Sequence, residues 1–153
     1  MGETKFRDMS HRVSVARSRM QDHTPPDGFQ PFDTTGFTTH IGPLFRRRAA
    51  DGWVFGLRLA PQHMNNGGVA HGGALTAFAD NCLGETVYRA AKAPCTTITL
   101  TVSFVAPGRV GDWVECAGTI TRATASLVFI SGRVWCEDRS LLDAQGIWKI
   151  LRR

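Results

Sequence analysis

The segment Asn65-Asn66-Gly67-Gly68-Val69-Ala70-His71-Gly72-Gly73, with Asp80 seven residues beyond Gly73, holds the residue types and spacing that could do chemistry. Gly72 and Gly73 stand where an apolar run over 72–92 reads as the start of a helix. The first N–H groups of a helix have no partner within it, and the helix dipole favours negative charge there. Without a Cβ, glycine admits a ligand atom close to the backbone, which suits an oxyanion or a phosphate. The plainer reading is that both glycines allow tight packing. No Gly-Lys-Ser/Thr follows, so this is not a nucleotide-binding Walker loop.

Asp80 falls mid-helix, where aspartate has poor propensity. Its neighbours at three- and four-residue steps are Thr76, Ala77, Leu83 and Gly84, which sets it off the polar stripe Asn81, Glu85, Arg89. A carboxylate among small and apolar groups is costly unless it is paired or used. The alternative is a member of a structural hydrogen-bond network. His71 can cap the helix, hold a substrate carbonyl or act as a base, although a lone loop histidine is more often structural. Asn65 adds a neutral donor and acceptor. No serine lies in a G-x-S-x-G elbow, and each cysteine sits in an apolar run, so serine and cysteine nucleophiles are disfavoured.

These residues need elements to hold them. The run 72–92 predicts a mostly buried helix with Asn81, Glu85 and Arg89 as its exposed ridge. Ahead of it, Phe37 to Arg48 and Trp53 to Ala60 predict strands, and 61–70 a loop. After it, 95–105, 112–124, 126–138 and 140–151 predict four more strands separated by short polar breaks. One helix cannot cover both faces of a parallel sheet, so short breaks favour antiparallel neighbours wrapped around the helix, an α+β arrangement. Residues 24–36, rich in Pro, Gly, Asp and Thr, predict a linker. Phe6, Met9, Val13, Ala16 and Met20 recur at helical steps and predict an N-terminal amphipathic helix. This divides the chain into an extension and linker over 1–27 and a domain over 28–153.

The 153 residues, 42% hydrophobic, suit one folded domain and argue against disorder and low complexity. No run of about 20 apolar residues predicts a membrane span, and no apolar leader region is evident, so the cytoplasm is expected. Cys82, Cys95, Cys116 and Cys136 form no CxxC pair, which makes zinc improbable and free thiols in a reducing compartment the default. A net charge of +5 favours anionic partners. Nucleic acid has only that charge in its favour and is not expected.

The pattern N-x-x-G-x-x-H-G-G followed by Asp resembles the hotdog-fold acyl-CoA thioesterases, and within them the PaaI-like, phenylacetate-type group. The likeness spans residues 37 to 151 and is strongest at 65–80 and at 96–107, where a Thr-rich strand ends in a proline. It implies an antiparallel sheet curled around one long helix. It implies hydrolysis of an acyl-CoA thioester to free acid and CoA. By that resemblance the Gly72 N–H polarises the thioester carbonyl, and Asp80 is general base or nucleophile. Asn65 and His71 position the thioester or water, and Thr97 helps orient the water. Gly73, Gly68 and Arg109 join the substrate-binding set, together with Asn66, the alternative to Asn65, standing where many relatives carry proline. The family builds each site from two subunits, implying a homodimer, often paired into a tetramer. No metal or separate cofactor is implied, CoA being part of the substrate. Arg46, Arg47, Arg48, Arg109, Arg152 and Arg153 are candidates to meet the CoA phosphates. Two other readings stand beside this one: an acyl-thioester dehydratase or hydratase, which the H-G-G signature fits poorly, and a non-catalytic acyl-CoA-binding module, which has little use for Asp80.

Overall fold

The computed structural model describes residues 24–151, so the helix read near the N-terminus, Arg152 and Arg153 lie outside the described residues. The elements are β1 (Gln30–Phe32), α1 (Phe37–Ile41), β2 (Leu44–Ala49), β3 (Gly52–Arg58), a 3-10 turn (Pro61–His63), α2 (Gly72–Ala91), β4 (Cys95–Phe104), β5 (Trp113–Ala123), β6 (Leu127–Cys136) and β7 (Arg139–Ile150). All seven strands form one sheet in the order β1-β2-β3-β5-β6-β7-β4, and every pairing is antiparallel.

α2 lies across β3 to β7. Its buried residues, Leu75, Phe78, Ala79, Cys82, Leu83 and Val87, recur at three- and four-residue steps and face the sheet. The helix ends at Lys92, which takes a left-handed conformation (φ 50°), and Pro94 blocks any continuation. Two glycines let the helix approach. Gly118 and Gly132 face each other across the β5–β6 ladder, and a Cβ at either would lie 2.4 or 2.5 Å from Leu83 Cδ2. Leu83 is wholly buried in that gap, which is worth about 2 kcal/mol of transfer free energy. On the other face of the sheet Phe29, Phe45 and Val54 form a second cluster with Trp113 and Trp135.

The hotdog architecture and the four strands after α2 follow the sequence reading closely. The region before α2 departs from it. Phe37 to Arg48 is not one strand: Gly36 turns the chain at φ 59°, residues 37–41 wind into α1, and only 44–49 extend as β2. Thr38 and Thr39 favour a strand by propensity. The helix is held by tertiary contacts instead: Ile41 is buried, and the Thr38 hydroxyl donates to Asn81 Oδ1 on α2 at 2.6 Å. The expected linker contains β1, an edge strand that tolerates Pro31 and packs Phe32 on Phe55.

Candidate functional site

The loop leading to α2 is folded by its own polar groups. Asn65 Oδ1 accepts the N–H of Gly67 at 2.8 Å and of Val69 at 3.3 Å, while its carbonyl accepts the N–H of Gly68 at 3.0 Å. Gly68 takes φ 75°, which a side chain would resist. Asn65 therefore shapes the loop through its oxygen, and no described acceptor takes its amide nitrogen. Asn66 is exposed at the loop tip.

His71 caps α2. Its Nδ1 accepts the Gly73 N–H at 2.8 Å, which places the ring proton of the neutral imidazole on Nε2. The Gly73 donor is thus used. Among the described residues none accepts the N–H of Gly72, which stands at the positive end of a 20-residue helix. A Cβ on Gly72 would lie 2.8 Å from Phe104 Cζ, and one on Gly73 would lie 3.0 Å from the His71 ring. Both contacts are with exposed rings, and the Gly72 N–H remains without a partner among the described residues.

Behind this loop sits His63, which sequence reasoning passed over. It is 2% exposed, the one polar residue among those described as buried. Its Nδ1 accepts the Ala60 N–H at 2.9 Å, so its Nε2–H donates to the Ile41 carbonyl at 3.1 Å. The His63 carbonyl accepts the His71 N–H at 2.7 Å. One residue, through its ring and its carbonyl, thereby joins α1 to the loop that ends at Gly72. A single histidine inside a predicted loop carries no sequence signal of that role.

Asp80 accepts a hydrogen bond from the Thr97 hydroxyl of β4, Oγ1 to Oδ1, at 2.8 Å. The pair lines a cleft of about 510 Å³ together with Thr38, Asn81, Glu85 and Trp148. The expected exposed ridge is half-buried: Asn81 is bonded to Thr38, and Glu85 pairs with Arg89 at 2.6 Å. Asp80 is half-buried beside them instead of sealed among apolar groups. The cause is α1, which folds over this side of α2 and converts an outward stripe into a cleft wall. Thr38 and Asn81 are the residues missed, because nothing in residues 37–41 announces a helix.

The structure brings Asp80 to Thr97 and His71 to Gly73, with Asn65 folding the loop that leads to them, but it does not bring the two groups together. Gly72 and Asp80 are eight residues apart on one straight helix, about 12 Å. Arg109 is exposed next to Gly108, whose carbonyl accepts the Ala70 N–H at 2.8 Å, so it belongs to the Gly72 end. Arg47 is taken by Glu115 at 3.0 Å. A broader groove of about 1010 Å³ lies on the sheet face turned from α2 and contains none of the sequence-predicted residues. All four cysteines are free. Burial, followed by hydrogen bonding to Cys116, pushes the Cys82 thiol well above its ordinary value; burial and the Glu85 and Asp80 charges raise Cys95. Neither is an activated thiolate. Among the described residues no group of three or more His, Cys, Asp or Glu could hold a metal, and no helix is long and apolar enough to cross a membrane.

Residues 67–142 match the model of the thioesterase superfamily. A Pseudomonas aeruginosa protein provisionally named an esterase, PA0474, is 34% identical over 129 residues, covering 82% of this chain and 96% of that one. The PaaI protein of the Escherichia coli phenylacetic acid degradation operon superposes with a TM-score of 0.61 at 16% identity, over 65% of this chain and 72% of that one. A hypothetical thioesterase of Streptococcus pneumoniae, solved with coenzyme A, superposes with a TM-score of 0.66 at 16% identity, over 72% and 87% of the two chains. At these identities the two superpositions speak for the fold.

Proposed function

The chain belongs to the thioesterase superfamily, and from that premise we propose that it hydrolyses acyl-CoA thioesters at a site shared by two subunits. The observation that carries the reading is the unused Gly72 N–H at the start of α2, beside a Gly73 N–H already capped by His71. A thioester oxygen that gains negative charge in the tetrahedral intermediate needs such a donor in a fixed place. Asp80, held by Thr97, supplies the second requirement, an oriented carboxylate beside a cleft open to substrate and water.

In this reaction water attacks the thioester carbon and passes a proton to the Asp80 carboxylate. The C–S bond then breaks, and the leaving CoA sulfur takes that proton, so acid and thiol are released and the carboxylate is restored. The alternative, attack by Asp80 itself, needs the same placement. Because about 12 Å separates Gly72 from Asp80 along one helix, no single carbonyl reaches both in one chain. A homodimer that sets Gly72 of one subunit against Asp80 of the partner subunit meets the requirement. The coenzyme A bound by the S. pneumoniae neighbour supports CoA as the carrier here.

The test is a panel of short, long and aromatic acyl-CoAs with a thiol-trapping readout, run on wild type and Asp80→Asn. The substitution keeps the shape of the side chain and removes its charge, so kcat should fall about 10² to 10⁴-fold. A folded Asp80→Asn protein with near-native hydrolysis would remove Asp80 from the mechanism. An enoyl product without free thiol would indicate a dehydratase, and tight binding without turnover a binding module.

A further inference from the structure

The arginines of β2 divide by face. Strand alternation sends Arg47 to one side, onto Glu115 and Phe29, and Arg46 and Arg48 to the other. There the guanidinium carbons of Arg46 and Arg48 lie 5.0 and 5.4 Å from the centre of the Trp53 ring. Arg89, from the last turn of α2, lies 5.0 Å from the same ring. Three guanidiniums therefore surround one half-buried indole. Only Arg89 has a carboxylate, Glu85; Arg46 and Arg48 form no ion pair among the described residues.

Residues two apart on one strand face stand about 7 Å from each other, so these positive charges repel. The negative face of the indole offsets part of the repulsion. A guanidinium held near an aromatic ring keeps N–H groups that can meet a two-oxygen acceptor. A carboxylate or phosphate would supply the counter-charge that Arg46 and Arg48 lack and acceptors for their N–H groups.

The cluster borders the Asp80 cleft. Arg46 lies 5.1 Å from the centre of the Phe32 ring, Arg89 is bound to Glu85, and Phe32 and Glu85 both line that cleft. Asp80 and Arg89 are nine residues apart on α2, about 13 Å. We propose that Arg46, Arg48 and Arg89 around Trp53 form an anion-binding site at the rim of the Asp80 cleft, taking a carboxylate or phosphate carried by the substrate. Anion binding stands on the cluster alone; its link to substrate rests on the proposed thioesterase reading. The anion has two sources, a carboxylate at the far end of the acyl group or the nucleotide phosphates of CoA.

Calorimetric titration of the full chain with pyrophosphate and with glutarate at low ionic strength tests the site without reference to turnover. Wild type should bind at least one, and Arg46→Gln/Arg48→Gln should weaken that binding about tenfold or more. A control that removes two exposed charges elsewhere, Arg122→Gln/Arg133→Gln, should change it less than about twofold. No binding to wild type up to about 10 mM, or equal loss in both double variants, overturns the proposal. Should Arg46→Gln/Arg48→Gln fail to fold, indole emission decides: the bound anion should perturb the fluorescence of wild type but not of Trp53→Phe. An undiminished response in Trp53→Phe places the anion elsewhere and overturns it. The source is then read from KM in Arg46→Gln/Arg48→Gln. A rise for glutaryl-CoA but not pentanoyl-CoA assigns the acyl carboxylate; a rise for acyl-CoA but not acyl-pantetheine assigns the phosphates. Unchanged KM for every one of these substrates overturns the substrate role.

Discussion

The shared site can be tested by separating its two ends. Gly72→Pro removes the proposed oxyanion donor, since proline has no N–H, and proline is well tolerated at the first helical position. The preceding His71 already has φ −64° and ψ 131°, the extended geometry a following proline requires. The added Cβ would lie 2.8 Å from Phe104 Cζ. That atom is the far end of a side chain 56% exposed, so the ring can swing aside. Gly72→Ala introduces the same Cβ but keeps the N–H, and the ratio between the two variants isolates the donor. The ratio in kcat should be about 10² to 10³. Gly72→Pro is then unfolded, mixed equally with Asp80→Asn and refolded. About half the dimers should be mixed, and each mixed dimer carries one intact site and one doubly defective site. Thiol release from acyl-CoA should therefore recover to about a quarter of wild type, half the dimers times half their sites. Mass spectrometry confirms the mixed dimers. Mixed dimers without recovery refute the two-subunit site, because a site within one chain leaves a lesion in every copy. Equal kcat for the proline and alanine variants refutes the role of the Gly72 N–H.

Gly132→Val should destabilise the fold by about 1–3 kcal/mol, because its Cβ would meet Leu83 Cδ2 at 2.5 Å and the Ala117 carbonyl at 2.7 Å; chemical denaturation measures this, and an unchanged midpoint contradicts the close helix–sheet contact. The raised Cys82 thiol keeps its proton in the folded state, so the unfolded state binds fewer protons at high pH. Stability should fall as pH rises above the ordinary thiol value of about 8.5, and Cys82→Ala should flatten that slope in denaturation curves taken from pH 7 to 10. Raising salt should raise KM for acyl-CoA more than it lowers kcat, with little effect on acyl-pantetheine; equal salt effects on both substrates remove the phosphate-binding role of the arginines.

The second half of the molecule was legible from residue order because its signals are local. The β-branched runs over 95–105, 112–124, 126–138 and 140–151 alternate at the strand period, and the turns between them are short, so β4 to β7 appear within a few residues of their expected ends. The helical start at Gly72 was legible for the same reason. The loop, cap and acid also stand together in sequence, which is why the resemblance is carried by Asn65, His71, Gly72 and Asp80. Tertiary structure decided the rest. Residues 37–41 carry strand propensity but form α1, because burying Ile41 and bonding Thr38 to Asn81 outweighs a local preference worth less than about 1 kcal/mol. That one helix turns Asn81 and Glu85 from a solvated ridge into a cleft wall, and His63 ties it to the loop behind Gly72. Separations of 22 residues for His63 to Ile41 and 43 for Thr38 to Asn81 have no periodicity to betray them. The arginine sorting on β2 is likewise invisible in the run Arg46-Arg47-Arg48. Alternation separates neighbours onto opposite faces, but only the fold puts Glu115 on one face and Trp53 with Arg89 on the other.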